Sequence, residues 1–180
     1  MKRLVLMIGG IVALTMTPFA SGHATVSLVG ATSALTNARS NYVVRVPNER
    51  ANRSTSRVVL NVPESVQERI SVQVVPGWNT RLVTRDTGQR DAEGAPVLAV
   101  TQVIWSARNG TDVRPKMYAE FPIRIQNPAT AQRMCFPIRQ QYTARYNRRG
   151  IPTKGAAGET VDWYGDAASA TPASCVNVVA

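Results

Sequence analysis

Tyr42-Val43-Val44-Arg45-Val46-Pro47-Asn48-Glu49 is the stretch on which the fold turns. In an extended chain successive side chains point to opposite faces, so Tyr42, Val44 and Val46 share one face while Arg45 opens the other to solvent. This is the signature of a half-buried strand. Pro47 closes it where a missing N–H does no harm, and Pro47-Asn48 marks a turn. Ile123-Arg124-Ile125 repeats the alternation. Other short runs rich in Val, Ile, Thr and aromatics lie at 25–29, 57–62, 70–75, 80–84, 97–106, 119–126, 133–143, 160–164 and 175–179, separated by Pro, Gly, Asn and Asp. Helical periodicity of any length is absent. About ten short strands in one domain predict an all-β, antiparallel β-sandwich. Val103 and Trp105 share a strand face, and Trp78 follows the Pro76-Gly77 turn, so both tryptophans belong to its core.

The first residues read as an export signal. Lys2 and Arg3 form a positive start, Leu4 to Met16 an apolar run, and Pro18 its end. Ala20-Ser21-Gly22 then places small residues at the −3 and −1 positions of a cut before His23. Cuts after Ala20 or Ala24 compete with it. The apolar run is shorter than the roughly 20 residues of a transmembrane helix, and no second hydrophobic span follows. The expected organisation is a leader over 1–22 and one domain over 23–180, exported to the periplasm with no membrane span left after cleavage.

The chain carries a formal charge of +10, two units of which leave with the signal. The excess is mostly arginine and scattered, with no RNA or DNA motif, so the sequence predicts a solvated basic surface and no nucleic-acid partner. The densest patch is Arg145, Arg148, Arg149 and Lys154, in a Gly-containing, loop-like stretch. Cys135 and Cys175 are the only cysteines. An even count in an exported chain favours one disulfide, worth roughly 3–4 kcal/mol by chain entropy. The alternative reading makes them soft copper(I) ligands, but Met117 and Met134 are too few thioethers to accompany them.

His23 is the only histidine. At the start of a processed chain it would hold two metal-binding nitrogens, the free α-amine and ring Nδ1, which close a six-membered chelate on one ion. Inside a chain the backbone nitrogen is a planar amide with no basic lone pair. Hydrolytic triads, paired His/Cys zinc sites and phosphate-binding glycine loops all lack their parts here. Glu64, Glu68, Asp162 and Asp166 read as solvated turn residues, and no enzyme is expected.

From His23-Ala24-Thr25-Val26-Ser27, then Tyr42 to Glu49, the order continues through Pro76-Gly77-Trp78, Ile104-Trp105, Gln141-Tyr142 and Val161-Asp162-Trp163. In these segments the chain resembles the YcnI-like family of exported copper-binding domains, over essentially all of residues 23–180. The resemblance implies a cupredoxin/immunoglobulin-like sandwich with one copper(II) held by the amine and ring of His23. It implies that Glu49 completes the coordination and that the Trp163 ring lies over the metal. Many relatives carry a C-terminal membrane span, and the chain ends at Ala180 without one.

Apart from the resemblance, Glu49 reads equally as a turn carboxylate and Trp163 as a core or rim aromatic. The function expected is a periplasmic copper(II) chaperone or buffer, exchanging the ion with a copper transporter or cuproenzyme. The alternatives are a histidine-brace copper oxidase, which would want a second histidine, and a metal-free envelope interaction module.

Overall fold

The computed structural model describes residues 22–143 and 158–180. The predicted leader, up to residue 21, and the basic stretch at Arg145, Arg148, Arg149 and Lys154 lie outside the described residues.

The order of strands is β1 (Thr25–Leu28), β2 (Ala34–Leu35), β3 (Arg39–Pro47), β4 (Thr55–Asn61), β5 (Ile70–Val72), β6 (Trp78–Arg90), β7 (Pro96–Ala107), β8 (Tyr118–Gln126), β9 (Gln132–Phe136), β10 (Ile138–Tyr142), β11 (Glu159–Trp163) and β12 (Ser174–Val179). One 3-10 turn, Glu64–Val66, lies between β4 and β5. Two sheets face each other, one ordered β1-β3-β8-β5 and the other β11-β10-β4-β7-β6. A small sheet, β2-β12-β9, closes one side; its β2–β12 pair is parallel and every other pairing between these named strands is antiparallel.

The alternation read from the sequence decides which faces meet. Tyr42, Val44 and Val46 are fully buried, and Ile123 and Ile125 join them from β8, while Arg45 and Arg124 point out. Trp105 and Val103 are fully buried. Phe121 stacks on Trp105 at 4.7 Å and meets Trp78 edge-on at 4.9 Å, so the two predicted core tryptophans flank one phenylalanine. Gly77, at φ +80, makes the turn that delivers Trp78. Burial pushes the Tyr42 phenol up to about 12, partly offset by the hydrogen bond it donates to Asn127 Oδ1 at 2.6 Å.

Three elements depart from the sequence reading. The run 133–143 is two strands: Pro137 interrupts it, and β9 joins the small sheet while β10 joins the five-stranded one. The run 80–84 is the middle of a hairpin arm that extends from 78 to 90, with register shifts after Val83 and Asp86. The two-residue β2 is too short to carry any periodic signal. Cys135 and Cys175 face each other across β9 and β12 and form a disulfide, as the count predicted.

Candidate metal centre

His23 stands two residues ahead of Thr25, whose register partner is Arg45, so the start of the chain is led along the end of β3. Two anchors hold it there. Ala24 and Val26 are buried in the core, and the Ser174 hydroxyl of β12 both accepts from Val26 N–H at 2.8 Å and donates to Val26 carbonyl at 3.1 Å. The Gly22 N–H donates to Glu49 Oε1. A Cβ added at Gly22 would lie 3.0 Å from Pro47 Cγ, so position 22 is seated against the Pro47–Glu49 segment.

Glu49 itself is exposed, and its neighbours hold it in place. Asn48 is 2% exposed and uses every polar group it has. Its Nδ2 donates to the carbonyls of Arg53 and Val113, both at 2.7 Å, and its Oδ1 accepts from Arg50 N–H at 2.9 Å. Its backbone N–H and carbonyl bond Met117 and Lys116. Arg50 then turns away to pair with Glu159, with its guanidinium 5.5 Å from the centre of the Tyr142 ring. The neighbouring cation is thereby engaged elsewhere, and the Glu49 carboxylate is left to face the chain start. Burial pushes the Tyr142 phenol up to about 12; Arg50 pulls it down, and Glu159 and Glu49 add to the rise.

Trp163 comes from β11, the edge strand of the opposite sheet. Its ring centre lies 4.9 Å from that of His23, with the planes tilted by 43°. The indole is 6% exposed, so the two readings of this residue are compatible: it is packed into the core and presents a face to His23. Its Nε1–H donates to Gln140 Oε1 at 3.3 Å. Gln140 is fully buried and spans the two sheets, donating from Nε2 to the Pro47 carbonyl at 2.8 Å and to Thr55 Oγ1 at 2.7 Å. One amide therefore orients Trp163 and the strand end that leads into Glu49.

The structure thus brings together His23, Glu49 and Trp163. It adds Asn48, Gln140 and Glu159, which the sequence reading left unassigned. A polar residue at a core-facing position of a strand is the signal that marks Gln140, since Ile138, Gln140 and Tyr142 share one face. Removing that amide by Gln140→Leu leaves the Pro47 carbonyl and the Trp163 N–H without this partner. The expected cost is about 2–3 kcal/mol by thermal melting, together with a changed Trp163 emission.

Asp162 is not a solvated turn residue. It belongs to β11, and its two oxygens accept from Arg139 Nε at 2.6 Å and Nη2 at 2.9 Å. The Arg139 guanidinium holds this carboxyl below its ordinary 3.8. A folded value below the unfolded one means stability that is present above the ordinary value and lost as pH falls through the folded value. An exposed pair contributes little. Asp162→Asn is expected to melt slightly below the parent at neutral pH, and the gap should close as pH falls beneath the ordinary carboxyl value and through the lower folded one.

Among the described residues no group of three or more His, Cys, Asp or Glu side chains converges on one point. His23 and Glu49 alone reach three donors only when the His23 amine is free. The donor set would then be two nitrogens and one carboxylate, which suits copper(II).

The residues from His23 to Cys175 match the family described as a domain of unknown function, DUF1775. The chain belongs to this family. No curated protein matches the chain. Among solved structures, the DUF1775 domain is similar to an uncharacterized protein from Nocardia farcinica with an immunoglobulin-like fold. The two are 21% identical over 88% of this chain and 99% of that one, with a TM-score of 0.61. A putative membrane anchored protein from Corynebacterium diphtheriae matches at 8% identity, over 91% of this chain and 37% of the other, with a TM-score of 0.44. The DUF1775 domain is therefore an all-β, antiparallel sheet-rich, immunoglobulin-like sandwich; the strand pattern predicted the sandwich and the resemblance its immunoglobulin-like form. Among the described residues no helix is long and apolar enough to cross a membrane.

Proposed function

We propose that the processed chain begins at His23 and binds one copper(II) ion as cargo, through the His23 amine and ring with Glu49 as third donor. The reading is carried by one observation: His23, its neighbour Gly22, Glu49 and Trp163 meet at one corner of the sandwich although the last is 140 positions from the first. The family match that begins at His23 supports it. An exported copper(II) chaperone or buffer, exchanging the ion with a transporter or cuproenzyme, uses such a site without turnover. A hard carboxylate donor favours copper(II) over the reduced ion, which speaks for carriage and against oxidase chemistry.

Trp163 supplies an aromatic face close to the bound cation and shields one side of the site from water. Glu49 supplies negative charge. The α-amine must be free of its proton, and with an ordinary value near 7.7–8.0 this costs about 1 kcal/mol at pH 7.

Glu49→Ala tests the site with the fold intact, because the carboxylate is exposed. Copper(II) affinity, measured by competition with a chelator of known strength, is expected to fall by at least about 10-fold, the lower end for loss of an outer-shell partner, while thermal melting of the metal-free protein stays put. Unchanged affinity removes Glu49 from the site. Affinity is also expected to weaken steadily below about pH 7, and a flat profile from about pH 8 to pH 5 would speak against an amine donor.

A further inference from the structure

The outward face of the β1-β3-β8-β5 sheet holds a cleft that the metal centre does not use, and strand register sets its floor. Asn41 lies opposite Arg124, and Arg124 opposite Ser71, so three polar side chains form a row across β3, β8 and β5. The next row pairs Val43 with Pro122, whose carbonyl accepts from Gln73 N–H at 3.1 Å. On the β1 side Val29 N–H donates to the Asn41 carbonyl at 2.9 Å before the chain turns away at Gly30, φ +81. Short or flat side chains in the middle, with chain on both flanks, leave a depression of about 460 Å³. That is within the range of small-molecule sites.

The charge on this face is one-sided. Glu120 is taken by Arg45 at 2.7 Å, and that pair, lying against Tyr118, borders the cleft on the side of the metal centre. Arg124 is exposed and makes no ion pair among the described residues, nor do Arg39 and Arg69 beyond the opposite end. Arg39 pairs with Gln126, whose N–H in turn donates to the Arg69 carbonyl at 3.0 Å, so the three arginines flank one strip of sheet. All 11 acidic residues of the chain are among the described ones. A cleft bordered by unpaired positive charge concentrates anions, and a guanidinium fork matches a carboxylate or phosphate in two parallel hydrogen bonds.

We propose that this cleft binds a small organic oxyanion, its carboxylate or phosphate head on Arg124 with Asn41 and Ser71 as further donors. Its body lies over Val43 and Pro122. Pro47, at the metal centre, is four residues further along β3 than Val43, roughly 13 Å away. The site is independent of copper, and its test uses metal-free protein.

The probe is 8-anilinonaphthalene-1-sulfonate, one anionic head on an apolar body, titrated by fluorescence. One saturable site per chain is expected, displaced by inorganic phosphate and by glycerol 3-phosphate. Arg124→Gln is expected to weaken it about tenfold, and Ser71→Trp, which fills the cleft, to abolish it. Arg81→Gln, an exposed arginine on β6, should leave it unchanged. All three positions are exposed, so melting of the variants should match the parent. Equal affinity in Arg124→Gln or Ser71→Trp overturns the proposal. Displacement by vesicles of anionic lipid alone, with both soluble phosphates inert, also overturns it, because the face would then be a membrane contact.

Discussion

A single glycine added ahead of His23 is expected to lower copper(II) affinity by more than about 100-fold. Loss of an outer-shell partner alone typically costs 10- to 100-fold, and here a ligating atom is lost. The added residue converts the His23 amine into an amide, whose nitrogen has no basic lone pair to give. With residue 22 in place, the Gly22 N–H occupies Glu49, and position 22 is packed against Pro47. The extended chain therefore carries its free amine one residue upstream, where it meets Glu49 and no longer closes the six-membered chelate with His23 Nδ1. Two preparations, with termini verified by mass as His23 and as Gly-His23, are compared by electron paramagnetic resonance and competition titration. Equal binding in both would show that the amine is not a ligand and would end the proposed reading. The fold is expected to be indifferent to the change, because Ala24, Val26 and Ser174 anchor β1 downstream of it.

The largest loss of stability is expected from Cys135→Ala combined with Cys175→Ala. The pair closes a loop between residues 40 positions apart, and opening such a loop restores chain entropy to the unfolded state worth roughly 3–4 kcal/mol. For a domain of this size that is a fall in Tm of roughly 6–16 °C. The β9–β12 ladder runs from Ser174–Phe136 to Val178–Gln132 and persists without the sulfurs, so the variant should fold. Copper stoichiometry at low temperature is expected to be unchanged, since neither sulfur is among the proposed donors. A Tm within a degree or two of the parent would mean that the ladder alone holds the small sheet.

These two cases differ in how much of each was legible beforehand. An even cysteine count, with an export signal expected, pointed to one bond, because two cysteines leave a single pairing. The uniqueness of His23 and the small residues before it drew attention to the chain start without any structure. Alternation through Tyr42–Val46 and Ile123–Ile125 assigned the buried faces correctly, since a strand has only two faces and a charged residue picks the outer one. Where the reading erred, a local rule was overruled by pairing. Pro137 lay inside an apolar run that looked continuous, yet the residues on either side of it belong to different sheets. Asp162 looked like a turn carboxylate because its partner, Arg139, is 23 positions away on the next strand.

Composition and periodicity by themselves determined that this chain is an all-β sandwich with one histidine near its start, and favoured one disulfide, because those properties depend on residue type and spacing alone. Only the tertiary structure decided that Trp163 meets His23, that Gln140 ties that indole to the strand leading into Glu49, and that Arg124 lies in a cleft with no ion-pair partner among the described residues. Each of these is a contact or an absence between residues far apart in sequence, and it depends on which strands become neighbours. That ordering is the outcome of burying all the apolar faces at once, and no local window contains it.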